Sequence, residues 1–345
     1  MRKREAKKQL APRKKIAVLM GGPSSEHEVS VQSGLNVLKH LDYKKYDAVP
    51  ILIDRKGFWL IHGPGEAPLS EPEALLTLCK RGVDTAFLAL HGEYGEDGFV
   101  QHVLQNAGIF FTGSGSLQSA LAMNKILAAR EFDEAGLGTP DFLEIRRKDW
   151  IKKPIEVSKS IYNTFGKHIV IKPVNRGSSM GVSVLEIKNN DLAPLENAIQ
   201  GAFSVSRSVL AQKAIKGREV TCGVLDIKGC AEALLPTEII PLNKNFFDFE
   251  AKYSGKSREV TPPENMPLRL IKKIEDTAIR AHKALGLRGV SRTDMIIGSG
   301  GQIYVLEVNT IPGMTEQSLL PQASKACGIS FTKLLDLMIE DATFV

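Results

Sequence analysis

Apolar residues fall into short continuous runs separated by stretches with helical spacing, the pattern of strands buried on both faces and joined by amphipathic crossovers. The first run, residues 15–20, leads directly into Gly21-Gly-Pro-Ser-Ser-Glu-His-Glu-Val-Ser30. After it the spacing predicts a helix with Val31, Leu35, Leu38 and Leu41 on one face. Further runs at 48–53 and 84–90 complete the alternation of a doubly wound parallel sheet, which we end near Gly113. Ligands bind such sheets beyond the carboxyl ends of the strands, and both the Gly21 loop and the loop His91-Gly-Glu-Tyr-Gly-Glu-Asp-Gly98 belong there.

From 116 to 135 the pattern is helical and free of Gly and Pro, with Lys125 inside it. Beyond Pro140 the pattern predicts strands at 168–172, 182–187 and 209–215 and a helix near 192–203, a compact α+β unit. A strand at 219–227 opens a third region, followed by a long irregular stretch, 243–263, of the kind that is usually functional or disordered. A helix over 268–285 then leads to runs at 293–297 and 302–308, joined by Gly298-Ser-Gly-Gly301, a hairpin signal. The boundaries divide the chain into a basic tail (1–13), an N-terminal Rossmann-like unit (14–113), a central lobe (114–212) and a C-terminal lobe (213–345).

Composition changes this picture in one place. The chain has 345 residues and 43% hydrophobic residues, enough for two or three cores, and a net charge of +6. Residues 1–15 hold eight of the 45 Lys and Arg but one acid, Glu5, leaving 37 basic against 38 acidic residues in the body. The basicity is that of a tail, either an anchor for phosphate or membrane surface or, more plainly, a solvated disordered end, and it gives no ground for nucleic-acid binding. The apolar run at 16–20 is too short for a secretory signal, and no run reaches the ~20 residues of a membrane span. Cys79, Cys222, Cys230 and Cys327 show no CxxC pair, so they are expected to be reduced, buried thiols of a cytoplasmic protein.

The hairpin carries the sharpest chemistry. Glu307 and Asn309, two apart, share a strand face, and Asp294 lies on the partner strand at about the same height. Two carboxylates and an amide are hard oxygen donors suited to Mg2+ rather than zinc, the alternative being a solvated acidic face. The loop Arg176-Gly-Ser-Ser-Met-Gly181 offers a flexible backbone and hydroxyl donors suited to phosphate, or is simply a turn between strands. Lys172, just before it, is either a point charge for phosphate or a surface lysine.

Nine stretches occur in one order: the Gly21 loop, Leu90-His-Gly-Glu-Tyr-Gly-Glu-Asp-Gly98, Phe111-Thr-Gly-Ser-Gly115, Met123-Asn-Lys125, Val170-Ile-Lys-Pro173, Gly177-Ser-Ser-Met-Gly181, Phe249-Glu-Ala-Lys-Tyr253, Ser291-Arg-Thr-Asp294 and Leu306-Glu-Val-Asn-Thr-Ile-Pro-Gly-Met-Thr315. Through them the chain, from about residue 16 to its last helix, resembles the ATP-grasp enzymes and more closely the D-alanine:D-alanine ligases of bacterial cell-wall synthesis. The resemblance implies an N-terminal doubly wound domain followed by a two-lobed ATP-grasp fold. It also implies a cytoplasmic homodimer that uses ATP with two Mg2+, for which Mn2+ substitutes, and binds neither nucleic acid nor membrane. The implied reaction joins two D-alanines through an acyl phosphate, because carboxylate is a poor electrophile until phosphate becomes its leaving group.

By position in the resemblance, Lys125, Lys172 and Lys252 contact ATP phosphates, Ser179 and its loop cover them, and Asp294, Glu307 and Asn309 hold the metals. Gln212, Lys213 and Ile215 belong to the linker that meets adenine through its backbone, and Glu219 binds ribose. Glu26 receives the first ammonium and is joined through Ser178 to Tyr253. His91 is a candidate for the substrate carboxylate or a structural cap. Arg292 and the Gly313 N–H stabilise the tetrahedral intermediate, and Ser318 and Leu319 receive the second carboxylate. The stretch 243–263, holding Lys252 and Tyr253, is expected to be a lid.

Two features depart from the family pattern: Gln212 stands where many relatives carry Glu, and no role is implied for the basic extension. Tyr253, where D-lactate-using relatives tend to have Phe, favours an amine as second substrate. The competing readings are a D-alanyl-D-lactate or D-alanyl-D-serine ligase, another ATP-grasp carboxylate-amine ligase, and a nucleic-acid or membrane-surface binding protein that uses its basic tail.

Overall fold

A computed structural model of the chain describes residues 12–61, 67–241 and 257–342, arranged about three sheets. The first comprises β1 (Lys14–Gly21), β2 (Tyr46–Ile53), β3 (Trp59–Ile61), β4 (Thr85–Leu88) and β5 (Phe110–Phe111), in the order β3-β2-β1-β4-β5. β1 runs parallel to β2 and β4, and β5 parallel to β4, as the apolar runs predict. β3 is a short antiparallel edge strand that the pattern does not mark.

Helix α1 (His27–His40) buries only part of the face expected for it: Leu41 is buried at its end and Leu38 packs on the core, but Leu35 is 49% exposed, while Ser30, Ser33, Gly34, Asn36 and Val37 are buried. Close approach to the sheet is the reason. A Cβ on Gly34 would stand 2.5 Å from Cβ of Met20, so only a glycine lets the helix sit down there. The small polar residues beside it find partners rather than solvent, Ser30 donating to the Ala89 carbonyl at 2.8 Å and Asn36 to the Met314 carbonyl at 2.7 Å. Helices α2 (Glu71–Lys80) and α3 (Phe99–Asn106) complete this layer.

The single helix expected over 116–135 is two, α4 (Ser116–Met123) and α5 (Lys125–Glu134). Asn124 makes the break: its backbone is extended, and its side chain caps α5 by accepting from the N–H groups of Ile126 and Leu127 at 3.1 Å. Asparagine is both a breaker and a cap, so the absence of Gly and Pro was no guarantee of continuity.

The second sheet has the order β6-β9-β7-β8, from β6 (Phe142–Arg146), β7 (His168–Pro173), β8 (Ser183–Glu186) and β9 (Ser208–Lys213), every pairing antiparallel. It packs on α6 (Arg147–Lys152), α7 (Pro154–Phe165) and α8 (Ala193–Val205) through Trp150, Ile161, Phe165 and Phe203.

The third sheet holds β10 (Gly217–Ile227), β11 (Cys230–Ala233), β12 (Thr237–Pro241), β13 (Ser257–Val260), β14 (Gly289–Gly298) and β15 (Ile303–Asn309), with α9 (Leu268–Ala284) against it. β13 falls in the stretch expected to be irregular; residues 243–256 of that stretch lie outside the described residues, as do 1–11 of the basic tail. Helices α10 (Leu319–Ala326) and α11 (Phe331–Glu340) end the described chain.

Packing crosses the divisions of the sequence. Ala122, Ala128 and Phe132 of α4 and α5 join the core of the third sheet with Val220, Met295 and Val305. Leu320, Leu334 and Ile339 of α10 and α11 join Ile16, Val18 and Phe87 of the first. All four cysteines are free, but only Cys222 is buried; Cys79, Cys230 and Cys327 sit at helix ends or a turn, where side chains reach solvent.

Candidate active site

The chain leaves β1 toward β2 on one side of the first sheet, while β4 lies on the other, so the gap between the β1 and β4 ends is a topological switch point. Glu26 precedes α1 at the end of β1, and loop 91–98 follows β4. The two are tied together, since Ser24 Oγ donates to the His91 carbonyl at 2.6 Å and accepts from the Glu26 N–H at 3.1 Å. The Glu26 carboxylate lies so close to two backbones that a Cβ on Gly92 would be 2.7 Å, and one on Gly177 3.2 Å, from its Oε2. Its carboxyl is pushed above the usual range by burial, opposed by a hydrogen bond from Ser178 and raised again by Glu307.

The second sheet contributes Lys172 near the end of β7 and then loop 177–181, where Ser178 and Ser179 adopt left-handed φ angles of 49° and 55°. Non-glycine residues enter that region at a cost, and such strain collects at functional loops. Gln212 is buried on β9 between Val170 and Phe142, and Lys213 and Ile215 follow in the linker to β10, where Glu219 lies.

The hairpin of β14 and β15 forms as expected, with tighter register. Asp294 stands directly opposite Glu307 and Arg292 opposite Asn309, with an irregularity after Asp294. Like charges directly opposite on a sheet repel. Two cations relieve the repulsion: Arg292 grips Asp294 through two 2.9 Å hydrogen bonds, and Lys125 Nζ lies 3.2 Å from Glu307. Burial works against the Arg292 charge, but Asp294, Glu307 and Glu96 together hold its pKa above the usual range. Thr221 adds a 2.7 Å donor to Asp294.

These parts converge. Glu26, Glu96, Lys125, Arg176, Ser178, Glu307 and Asn309 line one narrow space of about 60 Å³ where the three sheets meet. The donor set fits a divalent cation through two carboxylates that repel one another and one amide oxygen; among the described residues no group of three His, Cys, Asp or Glu side chains gathers for a metal.

His91 is buried and held neutral, its pKa pushed down to about 4 by burial. Its Nδ1 meets the Ile311 carbonyl at 3.1 Å, and its Nε2 meets Ser33 Oγ at 3.0 Å. Ser33 Oγ also accepts from the Met314 N–H at 3.2 Å, so both ring nitrogens are engaged in holding the segment around Gly313. Of the two roles expected for His91, this geometry is that of a structural cap. Ser318 caps the turn that follows, its Oγ accepting from the Thr315 N–H at 3.0 Å, and Leu319 opens α10. Lys252 and Tyr253 lie outside the described residues.

Sequence reasoning missed Glu96. Its carboxylate is buried, accepts from the Gly92 N–H at 2.8 Å and the Ile311 N–H at 3.3 Å, and faces the Asn309 amide, whose nitrogen, in the orientation that satisfies both ends, donates to it at 2.7 Å. Burial and the nearby Glu26 charge push its pKa up to about 8. It lies within the loop 91–98, but spacing gives no sign that it is sealed.

Comparison with known proteins places these features in a family. A family model described as "D-ala D-ala ligase N-terminus" matches residues 15–77, and one described as "D-ala D-ala ligase C-terminus" matches 132–340. The chain is 41% identical over 330 residues to the D-alanine--D-alanine ligase of Geobacter sulfurreducens, covering 95% of this chain and 94% of that one. Among solved structures it is similar to the VanG D-Ala:D-Ser ligase of Enterococcus faecalis, with 34% identity, TM-score 0.79 and coverage of 95% and 99%. It is also similar to the D-alanine--D-alanine ligase of Bacillus anthracis complexed with ATP, with 31% identity, TM-score 0.73 and coverage of 95% and 97%.

Proposed function

The chain belongs to the D-alanine--D-alanine ligase family, and on that premise we propose that it joins two D-alanines to D-alanyl-D-alanine with ATP for peptidoglycan precursor synthesis. The observation that carries this reading is the meeting of Glu26, Lys125, Ser178 and Glu307, each from a different part of the chain, in one space, with Asp294 directly opposite Glu307 and gripped by Arg292.

In this reading Glu26 receives the ammonium of the first D-alanine and fixes its carboxylate for attack on the γ-phosphorus of ATP. ADP departs and an acyl phosphate remains. Lys125, Lys172 and Lys252 neutralise phosphate charge, and Ser179 with its loop covers it; Gln212, Lys213 and Ile215 hold adenine, and Glu219 ribose. Asp294, Glu307 and Asn309 would hold two Mg2+, supplying charge neutralisation along the phosphates. The amine of the second D-alanine, its carboxylate received at Ser318 and Leu319, attacks the acyl carbon, and inorganic phosphate leaves. Arg292 and the Gly313 N–H stabilise the negative oxygen formed in that step. His91 acts through the 311–314 segment it braces, and Tyr253 completes the Glu26–Ser178 network. A cytoplasmic homodimer belongs to the same reading.

A D-serine acceptor is the second reading, favoured by the likeness to a D-Ala:D-Ser ligase. Phosphate release from ATP and Mg2+ separates them, with D-alanine, L-alanine, D-serine and D-lactate offered singly and in pairs and the products identified by mass. Release that needs D-alanine and yields its dipeptide is the expected result. A mixed product preferred over the dipeptide supports the second reading, and no release from folded, ATP-binding protein overturns both.

A further inference from the structure

Loop 177–181 belongs to the second sheet, yet its working partners, Glu26 and Glu307, belong to the first and third. Something must bring it across. Arg176, the residue before the loop, reaches in two directions: its Nε donates to the Val205 carbonyl at the end of α8 at 2.7 Å, and its Nη1 pairs with the Glu93 carboxylate in the loop after β4. Its own carbonyl accepts from Lys125 Nζ at 2.7 Å, and that ammonium is the one beside Glu307. One residue on, Gly177 passes over Glu26, and the next side chain, Ser178, bonds to it. Ser25 Oγ lies 2.9 Å from Met180 Sδ, a second and weaker crossing contact.

We propose that Glu93 and Arg176 form an interdomain latch that positions loop 177–181, and through it Ser178 and Lys125, for substrate. The left-handed Ser178 and Ser179 give the loop a conformation that needs outside support, and the latch is the charged contact that ties the residue before it to the loop after β4 of the N-terminal sheet. Arg176 borders the space lined by Glu26 and Lys125, but its guanidinium is engaged by Glu93 and the Val205 carbonyl, so the pair is assigned a positioning role. The inference rests on the reading that this loop covers ATP and the first D-alanine.

The size of the effect follows from exposure. The Arg176 and Glu93 side chains are 27% and 50% exposed, so solvent screens the pair, and its loss is expected to change binding by about 3- to 5-fold. The contribution is also expected to fade as salt shortens the screening length to a few ångströms, about 3 Å at 1 M.

The test compares wild type with Glu93→Gln, Arg176→Met and the double variant, each shown folded by its melting temperature. Two measurements are made: KM and kcat for ATP and D-alanine, and hydrogen exchange of the 177–182 amides without ligands. Glu93→Gln should raise both KM values about 3- to 5-fold with kcat changed less than about 2-fold. The same substitution in the Arg176→Met background should add nothing, and high salt should shrink the difference from wild type. The loop amides should exchange faster in each single variant than in wild type. Equal and independent effects in the two backgrounds, or loop exchange in Glu93→Gln matching wild type, overturns the latch. Wild type that binds ATP but shows no turnover with D-alanine counts against the ligase reading instead, and the exchange measurement, which needs no substrate, still decides the latch.

Discussion

The Lys125 ammonium lies 3.2 Å from the Glu307 carboxylate, joining the first turn of α5 to the half of β15 farther from the hairpin turn. The lysine side chain is 9% exposed and that of Glu307 39%, so the ammonium is poorly screened while the carboxylate keeps access to solvent. Lys125 thus stands where it neutralises carboxylates in the absence of other cations and can turn to phosphate in their presence. Lys125→Met is expected to lower kcat/KM for ATP by about 10- to 100-fold, the size of a lost charged hydrogen bond. It should also increase the thermal stabilisation given by Mg2+ alone, because the two carboxylates lose an internal competitor. Melting curves with and without Mg2+ check this, and an unchanged Mg2+ effect would count against the pairing.

Asp294 and Glu307 face each other but differ in burden. Asp294 takes both Arg292 bonds and the Thr221 hydroxyl, whereas the Glu307 side chain is 39% exposed. Asp294→Asn removes the charge that faces a buried guanidinium and turns an NH2 donor toward it, and is expected to cost about 3 kcal/mol of stability as well as activity. Glu307→Gln is expected to cost under about 1 kcal/mol while raising the Mg2+ needed for half-maximal turnover about 10-fold or more. Urea unfolding and Mg2+ titration of turnover separate the two effects.

His91 gives a pH dependence with a definite sign. Its pKa falls from 6.5 in the unfolded chain to about 4 in the folded one, so between those values the unfolded state binds the extra proton. The stability from burying the neutral ring is complete above about pH 6.5 and is lost progressively as pH falls toward 4, by roughly 3 kcal/mol in all. Glu96 runs the other way: raised from 4.5 to about 8, it favours folding below pH 4.5 and loses that contribution as pH rises to 8. The change in urea midpoint between pH 4 and 6.5 should therefore be less positive for His91→Asn than for wild type, whatever slope Glu96 adds to both.

Gly313 lies against Ser318, where an added Cβ would stand 2.7 Å from Oγ. Gly313→Ala is expected to push the Thr315–Ser318 turn aside and raise KM for the second D-alanine about 10-fold or more, with KM for ATP within about 2-fold. Initial rates at saturating ATP check it; equal changes in both constants would point to a general loss of structure.

Gly34→Ala carries a purely structural expectation. With Met20 Cβ only 2.5 Å from the new methyl group, α1 must lift from β1, at a cost of about 1–3 kcal/mol measured by urea unfolding.

Much of the fold was legible because it rests on local rules. Continuous apolar runs marked β1, β2 and β4, and the Gly298–Gly301 turn marked the β14–β15 hairpin, since buried strands and tight turns each demand particular residue types. Period-two alternation likewise puts Arg292 with Asp294, and Glu307 with Asn309, on shared faces. The helix break at Asn124 and the short strand β3 were not legible, because a cap and a three-residue strand leave too little pattern.

What the sequence alone determined, then, were the elements and the chemistry each carries: a glycine loop after β1, hydroxyls at 178 and 179, and oxygen donors on a hairpin. Tertiary structure alone decided which of them meet. Spacing reaches only a few residues, whereas the seal around Glu96, the engagement of both His91 nitrogens and the pairing of Lys125 with Glu307 arise where three sheets close on one another. It decided the buried face of α1 for the same reason: whether Ser33 or Leu35 turns inward depends on the close contact at Gly34 and on the distant Met314 N–H that Ser33 receives.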